Sequence, residues 1–226
     1  MRQLNTGRPR PVELEIPPDT LAITTDIDLV EREVYPRPDP DAQSIRAAAD
    51  LMASAKKPVI WAGGGVNLAD AQAELTELAE LLNAPVITTP EGKGAIAENH
   101  RLSFGSSAYG WGTGGDLVPQ ADVMLAVGSR LGSYRPEPGT SPGDGHQLIN
   151  LNIDETEFGK TAPVAVGVAV DAKVGLRHLV AALRDRNRQA EWDTTALESV
   201  KSRARERIQE VAPRQLAIVE SLRDAI

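Results

Sequence analysis

Cysteine is absent from the 226 residues. That removes disulfides, thiolate metal ligands and thiol nucleophiles together, and it fits a reducing cytoplasm. Aromatic residues make up only 4% of the chain, and positive charge is in short supply. Twenty-four Lys and Arg stand against 32 Asp and Glu, a net charge of −8 with a pI near 5.0. Such a balance argues against a nucleic-acid surface. No apolar run approaches the ~18 residues of a membrane span. The opening Met1-Arg2-Gln3-Leu4-Asn5-Thr6 has no apolar signal core. A cytoplasmic protein is expected, with no nucleic-acid or membrane partner. His100, His146 and His178 lie far apart without ligand spacing, so no metal residues are assigned. No Ser/His/Asp grouping can be defended, and no catalytic residue is assigned to this chain.

What is present suits a globular α/β chain, 41% hydrophobic and 25% charged. Residues 184–226 carry nine Lys and Arg against eight Asp and Glu, so an acidic body precedes a charge-dense, nearly neutral tail. Pro11-Val12-Glu13-Leu14-Glu15-Ile16 alternates like a strand. Residues 20–40, rich in proline towards their end, read as a linker. Asp39 with Pro40 predicts a helix start, and Ile45, Ala48, Ala49 and Met52 make its apolar face.

Short apolar runs then alternate with helical patterns. Strands are predicted over residues 58–62, 85–89, 122–127, 148–153 and 164–170, with a Gly-rich region across 91–115. Asn67 reads as one helix cap, with Ala71, Leu75, Leu78 and Leu82 inward; Asp171 reads as another. The rhythm predicts a three-layer, Rossmann-like domain around a mainly parallel sheet of about six strands. The tail reads as helix, with capping-box spacing at Thr195 and Glu198 and a break at Pro213.

Ligands on parallel sheets bind at the carboxyl ends of the strands. Gly63-Gly64-Gly65 follows the first strand, where missing Cβ atoms permit a sharp turn or close approach to a phosphate. A tight strand-to-helix turn explains the same glycines. The dinucleotide fingerprint would need a third glycine where Leu68 stands, which disfavours hydride transfer with NAD. Arg130 can grip a pyrophosphate or form a surface ion pair. Asn152 can bond a ribose hydroxyl without charge. Asp171 offers a carboxylate or simply caps a helix. The loop around Tyr109, Gly110 and Trp111 can wrap a cofactor or cover a surface.

Together these residues resemble the central domain of thiamine diphosphate-dependent enzymes of the acetolactate synthase and 2-oxoacid decarboxylase superfamily. The carriers are residues 57–65, 84–89 leading into Gly92-Lys93-Gly94-Ala95-Ile96, His100, 121–130 and 151–160, in order across about 46–183. Residues 7–17 resemble the last strand of that family's first, pyrimidine-binding domain. Residues 215–222 resemble the first helix of its third, diphosphate-binding domain.

The resemblance implies three segments: 1–39, the end of the first domain and a linker; 40–186, the central domain; and 187–226, a helical connector with the start of the third domain. It implies a fragment of a homo-oligomeric transferase or lyase that uses thiamine diphosphate and Mg2+ on 2-oxoacids. Those cofactors would be held by catalytic domains absent here, so this chain alone is expected to be inactive. Gly143-Asp144-Gly145 is rejected as the magnesium motif, because no Asn-Asn pair follows it. FAD or ADP is the nucleotide such a central domain can hold. Its contacts would carry over onto Gly63, Gly64, Gly65, Thr89, Gly110, Gly128, Arg130, Asn152, Ile153, Asp171 and Ala172. Departures from the flavin-type pattern are Asn152 for an aspartate, Pro90-Glu91 for an apolar pair, and Leu131-Gly132-Ser133-Tyr134 for a charged loop. The alternative is a stand-alone FAD- or NAD-binding module or oxidoreductase. A sirtuin-like deacylase is disfavoured because its zinc module normally needs cysteine.

Overall fold

The computed structural model describes residues 4, 6–31, 33, 35–106, 113–132, 145–188 and 190–226 except 225 and 226. Six strands form one sheet: β1 (Pro58–Ala62), β2 (Val86–Thr88), β3 (Ser103–Ser106), β4 (Val123–Val127), β5 (Gln147–Asn152) and β6 (Val166–Ala169). Their order is β3-β2-β1-β4-β5-β6, and every described pairing is parallel. The chain reverses its direction of travel across the sheet between β1 and β4, which are paired from Pro58↔Val123 to Ala62↔Val127.

Both β1 and β4 are buried at every residue. A strand covered on both faces has no polar side, which is why these runs are continuously apolar and do not alternate. Three long helices flank the sheet: α1 (Ala42–Ser54), α2 (Gln72–Leu82) and α3 (Ala172–Leu183). Helix α3 packs against both α1 and α2. Gly175 of α3 lies against Val170 and Leu151 so closely that a Cβ would stand 2.5 Å from the Val170 side chain. Two more helices end the chain, α4 (Thr194–Val211) and α5 (Pro213–Asp224).

Several sequence expectations shift. Helix α1 starts at Ala42 and is capped by Asp41 instead of Asp39, because the Asp41 carboxylate accepts from the Ser44 amide at 2.7 Å. Asp193 caps α4, accepting from the Thr195 amide, so the proposed Thr195 box does not form. Asn67 caps no helix; it lies within the single turn Gly64–Leu68. Strand β3 lies inside what read as a Gly-rich region. No strand forms across residues 11–16: Leu14 is 80% exposed, and no described strand pairs with the segment. Alternation alone does not make a strand without an edge to join.

Candidate functional site

The residues picked from the sequence gather at the carboxyl edge of the sheet, where β1 and β4 end side by side. Gly63 donates its amide to Val127 O at 2.8 Å, and Gly65 donates to Gly128 O at 2.9 Å. These bonds continue the strand pairing into the turn, so the two loops leave the sheet locked together. A Cβ on Gly63 would stand 2.4 Å from Gly128 O, and one on Gly65 would stand 2.6 Å from Gly128 Cα. Gly128 itself has φ +58°, a conformation that side-chain-bearing residues rarely adopt. Three of the glycines are therefore required by mutual contact of backbone.

A third loop closes on the first. Thr89 donates its amide to Ala62 O at 2.9 Å, and its hydroxyl accepts from the Gly92 amide at 3.1 Å. Asn67 donates from Nδ2 to Glu91 O at 3.1 Å and Lys93 O at 3.0 Å. Gly64 faces Glu91, whose Cβ would lie 3.0 Å from a Cβ added there. A Cβ on Gly92 would meet Ala62 O at 2.1 Å. Asn67 and Gly92 hold this corner, and neither was singled out as a site residue.

Further along the edge, Asn152 is buried and uses both ends of its amide. Nδ2 donates to Ser129 O at 2.9 Å, and Oδ1 accepts from the Asp154 amide at 3.0 Å. Ile153 beside it is part-exposed. Asp171 caps α3, its Oδ1 accepting from the amides of Lys173 at 3.0 Å and Val174 at 3.3 Å. Ala172 is buried behind it as the first residue of the helix. Arg130 is exposed. Gly110 lies outside the described residues.

Three further arginines reach this edge from the N-terminal segment: Arg37 from the stretch expected to be linker, and Arg8 and Arg10 from the stretch expected to be the last strand of a preceding domain. Arg37 Nη1 donates to Asp171 Oδ1 at 3.1 Å and to Ala69 O at 3.0 Å. It thereby joins the helix cap to the residue after the glycine turn. Arg8 pairs with Glu157 at 3.1 Å, and Arg10 pairs with Asp154 at 3.3 Å. The Thr156 hydroxyl, with the Thr156 amide and the charges of Arg10 and Arg8, holds the Asp154 carboxyl below its ordinary range against the opposing effect of burial. Lys160 does the same for Glu157, helped by Arg8. The available signal was Arg37 between Pro36 and Pro38, where a stiff extended backbone presents one side chain.

Outside this edge, His100 pairs with Glu80 and His178 with Asp39. Among the described residues no group of three or more carboxylate or imidazole side chains is arranged to hold a metal ion. No described helix is long and apolar enough to cross a membrane.

Comparison with known proteins agrees with this architecture. The family model for the thiamine pyrophosphate enzyme central domain matches residues 45–179. A probable acetolactate synthase large subunit of Methanococcus aeolicus is 37% identical over 183 residues, covering 77% of this chain and 31% of that protein. A sulfoacetaldehyde acetyltransferase of Rhodobacter capsulatus is also 37% identical, over 76% of this chain and 30% of its own length. In fold, the crystal structure of benzoylformate decarboxylase from Polynucleobacter necessarius superposes with a TM-score of 0.60 at 24% identity, covering 76% of this chain and 32% of that one. The chain thus spans about a third of the length of the curated relatives it matches.

Proposed function

Because the chain belongs to the thiamine pyrophosphate enzyme family, as its central domain, we propose that it is the scaffold of a larger, acetolactate synthase-like enzyme acting on 2-oxoacids. In that enzyme, thiamine diphosphate with Mg2+ supplies the carbanion chemistry. The domains on either side would hold both, and the whole would work as a homo-oligomer in the cytoplasm. The role of this chain's residues is to carry those neighbours: its sheet is a rigid block, and an arm leaves it at each end.

The match over residues 45–179 carries this reading, because it lies on the six-stranded sheet and leaves both arms outside it. The arrangement at the carboxyl edge supports a scaffold role, since its buried polar side chains Thr88, Ser129, Asn152 and Asp171 bond to backbone, and Asp171 to Arg37 as well. No described group there is placed as a nucleophile with a base. The test is an assay of 2-oxoacid consumption with added thiamine diphosphate and Mg2+. It compares this chain with the complete reading frame that contains it. The larger protein is expected to consume a 2-oxoacid only when the cofactor is present, and this chain to consume none. Turnover by this chain alone would contradict the scaffold role. A larger protein inactive on every 2-oxoacid would contradict the assigned reaction class.

A further inference from the structure

The central domain of such an enzyme is where FAD or ADP would sit, and the residues of this chain can be tested for that fit. A dinucleotide at the end of a parallel sheet is held by free backbone amides for its phosphates and by a free polar side chain for its ribose. Here three of the amides are committed. Gly63 donates to Val127 O, Gly65 to Gly128 O and Val66 to Gly63 O, at 2.8, 2.9 and 3.1 Å. The space beside them is filled by the backbone of the neighbouring loop, since a single carbon on Gly63, Gly65 or Gly128 would overlap it. Gly64 faces Glu91, whose Cβ and backbone carbonyl crowd the space beside it, so the residue bordering this turn is acidic and not cationic.

The ribose side does not fit either. Asn152 already spends its donor on Ser129 O and its acceptor on the Asp154 amide, at 2.9 and 3.0 Å. The Asp171 side chain is 9% exposed, and its Oδ1 receives Lys173 N, Val174 N and Arg37 Nη1. A ribose hydroxyl at Oδ1 would have to displace the Arg37 cation or an amide of the α3 cap.

We infer that, among the described residues, the crevice between the loops after β1 and β4 is closed by the chain's own groups and takes neither FAD nor ADP. Arg37 holds the Asp171 carboxylate instead and fixes the linker to the sheet. Arg37 is thus a positioning residue. It ties the linker (20–40) to the cap of α3 and to Ala69, so the segment leading toward the preceding domain leaves the sheet from a defined point. The same carboxylate that would serve a ribose serves the chain's own backbone geometry. This inference concerns binding by this chain and stands or falls separately from the reaction of the larger enzyme.

Two measurements test it. In the first, the purified chain is titrated with FAD and with ADP by calorimetry. No saturable binding is expected up to about 1 mM, a level at which even a weak specific site would show. Saturable binding of either nucleotide in that range would overturn the closed crevice. In the second, a nitroxide is attached at Glu31→Cys, the only thiol in an otherwise cysteine-free chain. Arg37→Ala is expected to raise the mobile fraction of the label about threefold, the scale of a half-exposed ion pair. Asp171→Asn, which keeps an oxygen for the α3 amides, should do the same. The double variant should add nothing further, because the two side chains act as one contact. Unchanged label mobility in both single variants, with unchanged circular dichroism, would overturn the role of Arg37; so would full additivity.

Discussion

The two arms of the domain are attached by different physics. Among the described residues of the N-terminal arm (6–40), no large apolar side chain is buried: Leu14, Leu21, Ile23, Ile27, Leu29 and Val30 are all exposed. It touches the sheet through arginines, with Arg8 and Arg10 on Glu157 and Asp154, and Arg37 on Asp171. The C-terminal arm enters the core. Trp192 is buried and donates from Nε1 to Pro58 O at 2.7 Å, and Leu197, Val200 and Ala204 of α4 are buried after it. Lys201 completes that attachment, donating to Arg101 O at 2.8 Å and resting 4.7 Å over the Phe104 ring. Burial pushes its ammonium below the ordinary lysine value, with Glu198 opposing. Apolar burial is indifferent to salt and mild acid, whereas paired charges respond to both. One arm is thus an extension of the fold, and the other is a strap held by ions.

The contrast can be broken most forcefully at Trp192. Trp192→Ala removes a buried indole and leaves Pro58 O without its donor, so urea unfolding should show a loss of about 3–5 kcal/mol. A loss under ~1 kcal/mol would mean that the C-terminal arm is not part of the core. Lys201→Ala comes next. Losing a charge-assisted bond to carbonyl oxygen and the contact with Phe104 should cost about 1–2 kcal/mol by the same measurement.

Acid sharpens the comparison from the other side. Asp154 and Glu157 have folded pKa values lowered below their unfolded ones, so the stability they contribute is present above the unfolded values and lost as pH falls through the folded ones. Below about pH 4 the N-terminal strap should release first, seen as faster limited proteolysis of residues 6–31, while Trp192 fluorescence stays native. The smallest effect is expected from Arg8→Ala combined with Arg10→Ala. Global stability should change by under about 1 kcal/mol, because exposed ion pairs contribute little, while the first residues become more susceptible to protease. A large fall in stability there would place the N-terminal arm in the core after all.

Much of the sheet was legible because burial on both faces writes itself as short unbroken apolar runs. β1, β2 and β4 announce themselves so, and β5 does with Asn150 and Asn152 interrupting its apolar residues. β3 does not: Ser103–Ser106 contains Phe104 as its only large apolar residue, and its place beside β2 is a tertiary fact. Residues 11–16 mislead in the opposite direction, since their alternation is real but they pair with no described strand. At the site, the glycine positions could be read from the chain. What they face could not, because Gly128 meets Gly65 only after β1 and β4 have paired. Arg37 and Asn67 were missed for the same reason, their partners lying 134 residues away at Asp171 and 24 away at Glu91.

The sheet holds one arm as core and the other as an ionic strap. Hydrogen exchange of both arms in one sample, at low salt and at about 0.5 M salt, tests it most directly. The amides of residues 197–204 should exchange as slowly as those of the flanking helices at either salt. Those of residues 6–40 should exchange fast, and the few slowed around Arg8, Arg10 and Arg37 should speed up in high salt. Equal, salt-independent protection of the two arms would contradict the account.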